Sequence, residues 1–142
     1  MNAWTMYYPY EFSTEDVTDY AAFVYCIKFP DSGEYYVGVK QVWKGVKNYT
    51  EVKESISESN WITYTSSSRT VQNYIAEGQN YRKQILWCFK SLQEASVLET
   101  ALIAVLGTDW NCLNKAIMVK TRMKKDNGDQ FRVLQRIIGD LT

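Results

Sequence analysis

Polar and apolar positions alternate in three stretches of the chain and follow a helical period in three others. Tyr20 to Phe29 is rich in aromatic and β-branched residues and reads as a strand. Pro30-Asp31-Ser32-Gly33 is a turn signal, because proline presets φ and glycine tolerates positive φ. Glu34 to Lys40 follows as a second strand, paired with the first in an antiparallel hairpin. Tyr81 to Phe89 reads as a third strand, with Ile85, Trp87 and Phe89 on one face and Leu86 and Cys88 on the other. Apolar residues on both faces imply a covered, central strand. Ser66-Ser67-Ser68 supplies caps for a helix from Arg69 to Glu77, stopped at Gly78. Ser91 and Glu94 form a capping-box pattern that opens a helix from Leu92 to about Leu106. A turn at Asp126-Asn127-Gly128 precedes a last helix, Gln130 to Ile138. Residues 1–19 read as an irregular lead-in. Residues 41–60 are polar, with a short exposed helix expected within Lys47 to Ser59. The expected class is α+β, a three-stranded, mostly antiparallel sheet flanked by helices. Three segments follow: a lead-in at 1–19, a domain at 20–115, and an extension at 116–142 on the same domain.

One position breaks the pattern of the long helix. Residues 95, 98, 99, 102, 103 and 106 share a face at i, i+3, i+4 spacing, and Glu99 is the only charged one among them. A carboxylate on an apolar stripe must be paired, bind a metal, or sit at the rim of a cleft. An ion pair with Arg69 or Lys40 is the structural alternative. In the hairpin, Tyr25 lies mid-strand and Tyr35 and Tyr36 precede Val37-Gly38. Strand aromatics usually pack, and a strand glycine marks a bulge or a close backbone approach.

Composition narrows the chemistry. The 142 residues include no histidine, which removes serine-histidine and cysteine-histidine catalysis. Proton transfer would fall to Tyr, Lys, Asp, Glu or water. Cys26, Cys88 and Cys112 are odd in number and widely spaced, so reduced thiols are expected and a structural zinc is not. They fit a cytoplasmic setting. No run of roughly 18 apolar residues predicts a membrane span, and Met1 to Tyr20 lacks a secretory pattern. Net charge is zero but unevenly spread: residues 1–60 hold 5 basic and 9 acidic side chains, residues 115–142 hold 7 and 3. That basic segment is either a phosphate-facing surface or a solvated helix face.

The spacing of several short motifs resembles a known family. Phe23-Val24-Tyr25, ten intervening residues, then Tyr36-Val37-Gly38 is similar to the paired tripeptides of the GIY-YIG nucleases. Trp61 to Arg69 (WITYTSSSR) looks like the "Y-x-G-S-G/S-K" segment of phage-encoded, homing-endonuclease-like members. Ala76-Glu77-Gly78 and Tyr81 to Leu86 resemble their "x-x-G-x-x-x-F-x-K-E-I-L" strand. Glu94-Ala95 with Glu99 resembles "E-A-x-x-x-E", and Leu113-Asn114 the terminal "x-N". Phe23 stands where the first glycine is usual, Ser66 and Ser68 replace glycines of the serine-rich turn, and residues 41–60 look inserted.

The resemblance implies a divalent-metal-dependent DNA endonuclease of phage or mobile-element type, active in the host cytoplasm and acting as a monomer or homodimer. Tyr25 would be a catalytic tyrosine and Tyr36 its partner. Glu99 would be the single acidic ligand of Mg2+ or Mn2+. Asn114 would shape the site, Arg69 would contact the scissile phosphate, and Lys40 would supply a charge or a base. Lys120, Arg122, Lys124 and Lys125 would bind DNA. The alternative is a catalytically altered scaffold that binds nucleic acid, a nucleotide or a host protein.

Overall fold

The computed structural model describes residues 3–117, 123 and 126–142. Four strands form one mixed sheet: β1 (Trp4–Met6), β2 (Ala22–Phe29), β3 (Glu34–Gln41) and β4 (Arg82–Phe89), in the order β1-β4-β2-β3. β2 pairs antiparallel with both β3 and β4, and β1 pairs parallel with β4. Among the described residues three α-helices accompany it: α1 (Arg69–Ala76), α2 (Leu92–Leu106) and α3 (Asp129–Leu141). The class is α+β as expected, with one strand more than the sequence suggested. β1 is only three residues long, and parallel pairing with β4 places Trp4 in the core. The polar stretch 41–60 holds a single 3-10 turn, Tyr49–Glu51, rather than an α-helix.

The sheet is covered on both faces. On one, Phe23, Tyr25, Ile27 and Phe29 of β2 pack with Trp4, Trp61 and Val71. On the other, Ala22, Val24 and Cys26 meet Leu98, Leu102 and Leu106 of α2 and Ile137 of α3. The expected alternation in β4 is corrected by a register shift opposite Val24/Tyr25, where Trp87 pairs Val24 but Ile85 pairs Tyr25. Leu86 is the extra residue, and a bulge of this kind reverses the alternation beyond it. Ile85 and Cys88 therefore share the Tyr25 face, while Leu86 and Phe89 point to α2. All three cysteines are buried and free. Among the described residues no helix is long and apolar enough to cross a membrane.

Candidate active site

The hairpin β2–β3 builds the floor of the site. Tyr25 is opposite Gly38 in the ladder. A Cβ on Gly38 would lie 2.3 Å from the Tyr25 Oη and 2.4 Å from its Cζ, so the phenol rests directly on the glycine backbone. This close approach is what a strand glycine signals. Tyr36 lies beside it, with ring centroids 6.4 Å apart. Tyr64 arrives from the loop after Trp61 and packs edge-on against Tyr25 at 6.1 Å. The Lys40 Nζ stands 4.1 Å from the Tyr64 ring centroid. Buried Ser66 directs its hydroxyl at both Tyr25 and Tyr36, and Ser67 reaches Tyr36. Burial raises both phenols above their ordinary range; for Tyr36 the charge of Glu99 adds to the rise, and the serine hydroxyls oppose it. Loss of solvent lowers the Lys40 ammonium.

Glu99 and Asn114 reach this floor along the outer border of β3. The backbone groups of alternate residues there are answered in turn. The Tyr35 N–H donates to Asn111 O at 2.9 Å, and Leu113 N–H donates to Tyr35 O at 2.8 Å. The Asn114 amide behaves like a strand residue: its Oδ1 accepts from Val37 N–H at 2.9 Å, and its Nδ2 donates to Val37 O at 2.8 Å. The Glu99 carboxylate accepts from the Val39 N–H. Glu99 is half-buried, and burial lifts its carboxyl to about 7. Neither Lys40 nor Arg69 pairs with it; the ion pairs among the described residues are Arg132–Asp129 and Arg136–Glu11.

Tyr25, Tyr36, Lys40, Glu99 and Asn114 thus converge on one border of the sheet. Arg69 is exposed at the first turn of α1, three residues after Ser66, and forms no hydrogen bond or ion pair among the described residues. Lys120, Arg122, Lys124 and Lys125 lie outside the described residues. Three residues here carried no site role from sequence: Tyr64, Ser66 and Ser67. The serine run reads as helix caps, yet only Ser68 caps α1, accepting from Val71 N–H. Ser66 Oγ accepts from the Ser68 N–H at 2.9 Å, just ahead of that cap, and Ser66 and Ser67 are also the two that reach the phenols. A cavity of about 560 Å3 lies elsewhere, against the α2 side of the sheet between Cys26, Val37, Leu106 and Leu141.

The donor set bears on metal binding. Among the described residues no three Asp, Glu, His or Cys side chains gather at one point. A desolvated carboxylate with no cationic partner fits a hard cation that keeps most of its water and takes one protein oxygen. A family model described as "Putative endonuclease segE, GIY-YIG domain" matches residues 4–117. No curated protein and no solved structure matches the chain.

Proposed function

Because the chain belongs to the GIY-YIG endonuclease family, we propose that it hydrolyses phosphodiester bonds in DNA with one Mg2+ or Mn2+ held by Glu99. The observation that carries this reading is the convergence of an unpaired, desolvated carboxylate with two phenols at one sheet border. Solvent loss makes a lone carboxylate costly, and a cation offsets that cost. The bound cation would neutralise the phosphate and the leaving oxygen.

The remaining roles belong to the chain's own groups. Tyr25 is almost fully enclosed and keeps its proton, so it acts as a hydrogen-bond donor and spacer. Tyr36 is more open, and Ser66 and Ser67 favour its ionised form. Its rise comes in part from the negative charge of Glu99. Burial is the larger cause of that rise, so neutralising the carboxylate would remove only its second part. Tyr36 would first release its own proton to bulk solvent and then, as phenolate, take one from the attacking water. Lys40 and Arg69 present positive charge to the phosphate as it gains negative charge. Asn114 holds β3 in register beside Glu99. The basic segment with Lys120, Arg122, Lys124 and Lys125 adds contacts to the DNA backbone. One copy nicks one strand, and two copies together cut both. The setting would be a phage or mobile element acting in a host cytoplasm.

The test is supercoiled plasmid incubated with the protein and Mg2+ or Mn2+, with chelator and Glu99→Ala as controls. Nicking that disappears in both controls supports the proposal, with an expected loss of about 10²-fold or more in rate. Binding without cleavage would instead identify a scaffold that has kept its groove and lost its chemistry. Cleavage untouched by chelator would remove the metal from the mechanism.

A further inference from the structure

Lys83 is a lysine the chemistry above does not use, and it is 2% exposed. It stands on β4, opposite Ile27 on one side and Trp4 on the other. Its ammonium donates to the carbonyls of Tyr64 at 2.8 Å and Ile62 at 3.3 Å. The Trp4 ring closes over it at 4.4 Å, and no ion pair to it occurs among the described residues. Trp4 adds its own bond, indole N–H to Trp61 O at 2.6 Å. Three carbonyls of one loop are thereby held from two strands.

Burying a cation without an anion is unfavourable, and an apolar side chain of similar volume would fill the space at less cost. What the ammonium adds is direction: its donors fix where the loop backbone lies. The same loop carries Tyr64, which packs on Tyr25 beneath Lys40, and two residues later Ser66, which faces Tyr25 and Tyr36. We infer that Lys83 is a positioning residue of the active site, which with Trp4 clamps the Trp61–Ser66 loop so that Tyr64 and Ser66 stay over the Tyr25–Tyr36 pair. Its effect on rate rests on the nuclease reading, whereas its effect on geometry does not.

The experiment compares Lys83→Met, Trp4→Phe, Tyr64→Phe and the Lys83→Met/Tyr64→Phe double variant. Lys83→Met should lower kcat roughly ten- to a hundredfold with KM for plasmid DNA little changed, the pattern of a misplaced reacting group. Its melting temperature should change little, because relief of the buried charge offsets the donor lost to the Ile62 and Tyr64 carbonyls. Trp4→Phe, which deletes one donor, should move kcat in the same direction by less. Tyr64→Phe should cost less in the Lys83→Met background than in the wild type, because the two act as one unit. Independently of cleavage, 13C-labelled tyrosine spectra should show the ring signals of Tyr64 and Tyr25 displaced in Lys83→Met, with Tyr7 and Tyr35 unmoved. Unmoved Tyr64 and Tyr25 signals, or fully additive rate losses, would overturn the assignment. So would a Lys83→Met chain that fails to fold, since Lys83 would then be a folding residue. If the wild type does not cut DNA, the nuclease reading fails while the spectra still decide this inference.

Discussion

Glu99 is under two opposed demands, one from folding and one from the proposed chemistry. Its carboxyl is raised from 4.5 to about 7 by burial. A group raised in the folded state contributes stability that is fully present below its unfolded value and is lost as pH rises through the folded one. In chelator, Glu99→Gln should therefore melt above the wild type at pH values beyond about 7 and lose that advantage toward about pH 4.5. Partial exposure discounts the gain to about 2 kcal/mol. Thermal unfolding across pH measures it, and a difference that does not vary with pH would contradict the argument. The same variant should not cleave DNA. Gly38 is the second residue whose identity is dictated by space. Gly38→Ala places a Cβ 2.3 Å from the Tyr25 Oη and 2.4 Å from its Cζ. The expected cost is about 1–3 kcal/mol, read by denaturant unfolding. Tyr25→Phe should not rescue it, because the ring carbon collides as well as the hydroxyl. Glu99 and Gly38 were legible in the sequence, since a charge on an apolar stripe and a glycine in a strand each violate a local rule. Tyr64, Ser66 and Ser67 violate none: a serine run before a helix already has an ordinary explanation, and only the fold shows that one of the three suffices.

At the scale of elements, β3 depends on a side chain for its outer pairing. Asn114→Leu would strip partners from both the Val37 N–H and C=O. Leaving a buried backbone group unanswered costs about 1–3 kcal/mol each. Asn114→Asp can still accept from Val37 N–H but loses the donated bond, so it should fall between Leu and wild type. Hydrogen exchange at the Val37 amide would rank the three, with Leu fastest. The hairpin and α2 were readable because their periods are long and unbroken. The alternation in β4 misled because a single extra residue, Leu86, reverses it, and no residue type marks that bulge. β1 was missed because three residues carry no period, and its place comes from a partner strand about eighty positions away.

For the whole molecule, the covered sheet makes ionisation at high pH a threat to the fold. Burial raises the phenols of Tyr8, Tyr25, Tyr35 and Tyr36 above 10.0 and the thiols of Cys26 and Cys88 from 9.0 to about 12. These contributions are intact below the unfolded values and vanish as pH climbs past them. Lys40 and Lys83, both lowered, act in the opposite sense but are outnumbered. Melting temperature should therefore fall steeply between about pH 9 and 11, with tyrosinate absorbance appearing in the same range as unfolding. Absorbance that appears well before unfolding would show the phenols are not protected. The charge distribution leads to a separate expectation. Among the described residues, two C-terminal cations are engaged, Arg132 with Asp129 and Arg136 with Glu11 and the Tyr8 ring. Neutralising Lys120, Arg122, Lys124 and Lys125 should flatten the salt dependence of DNA affinity; an unchanged slope would assign that segment to plain solvation.

The partners along the outer border of β3 also stand in the way of strand-to-strand contact between copies. Bare strand margins template further strands, the route to swapping and fibrils. Asn111, Leu113, Asn114 and Glu99 occupy that margin, so a newcomer finds the N–H groups of Tyr35, Val37 and Val39 already taken. Strand-to-strand pairing of copies across this margin would first have to displace those partners.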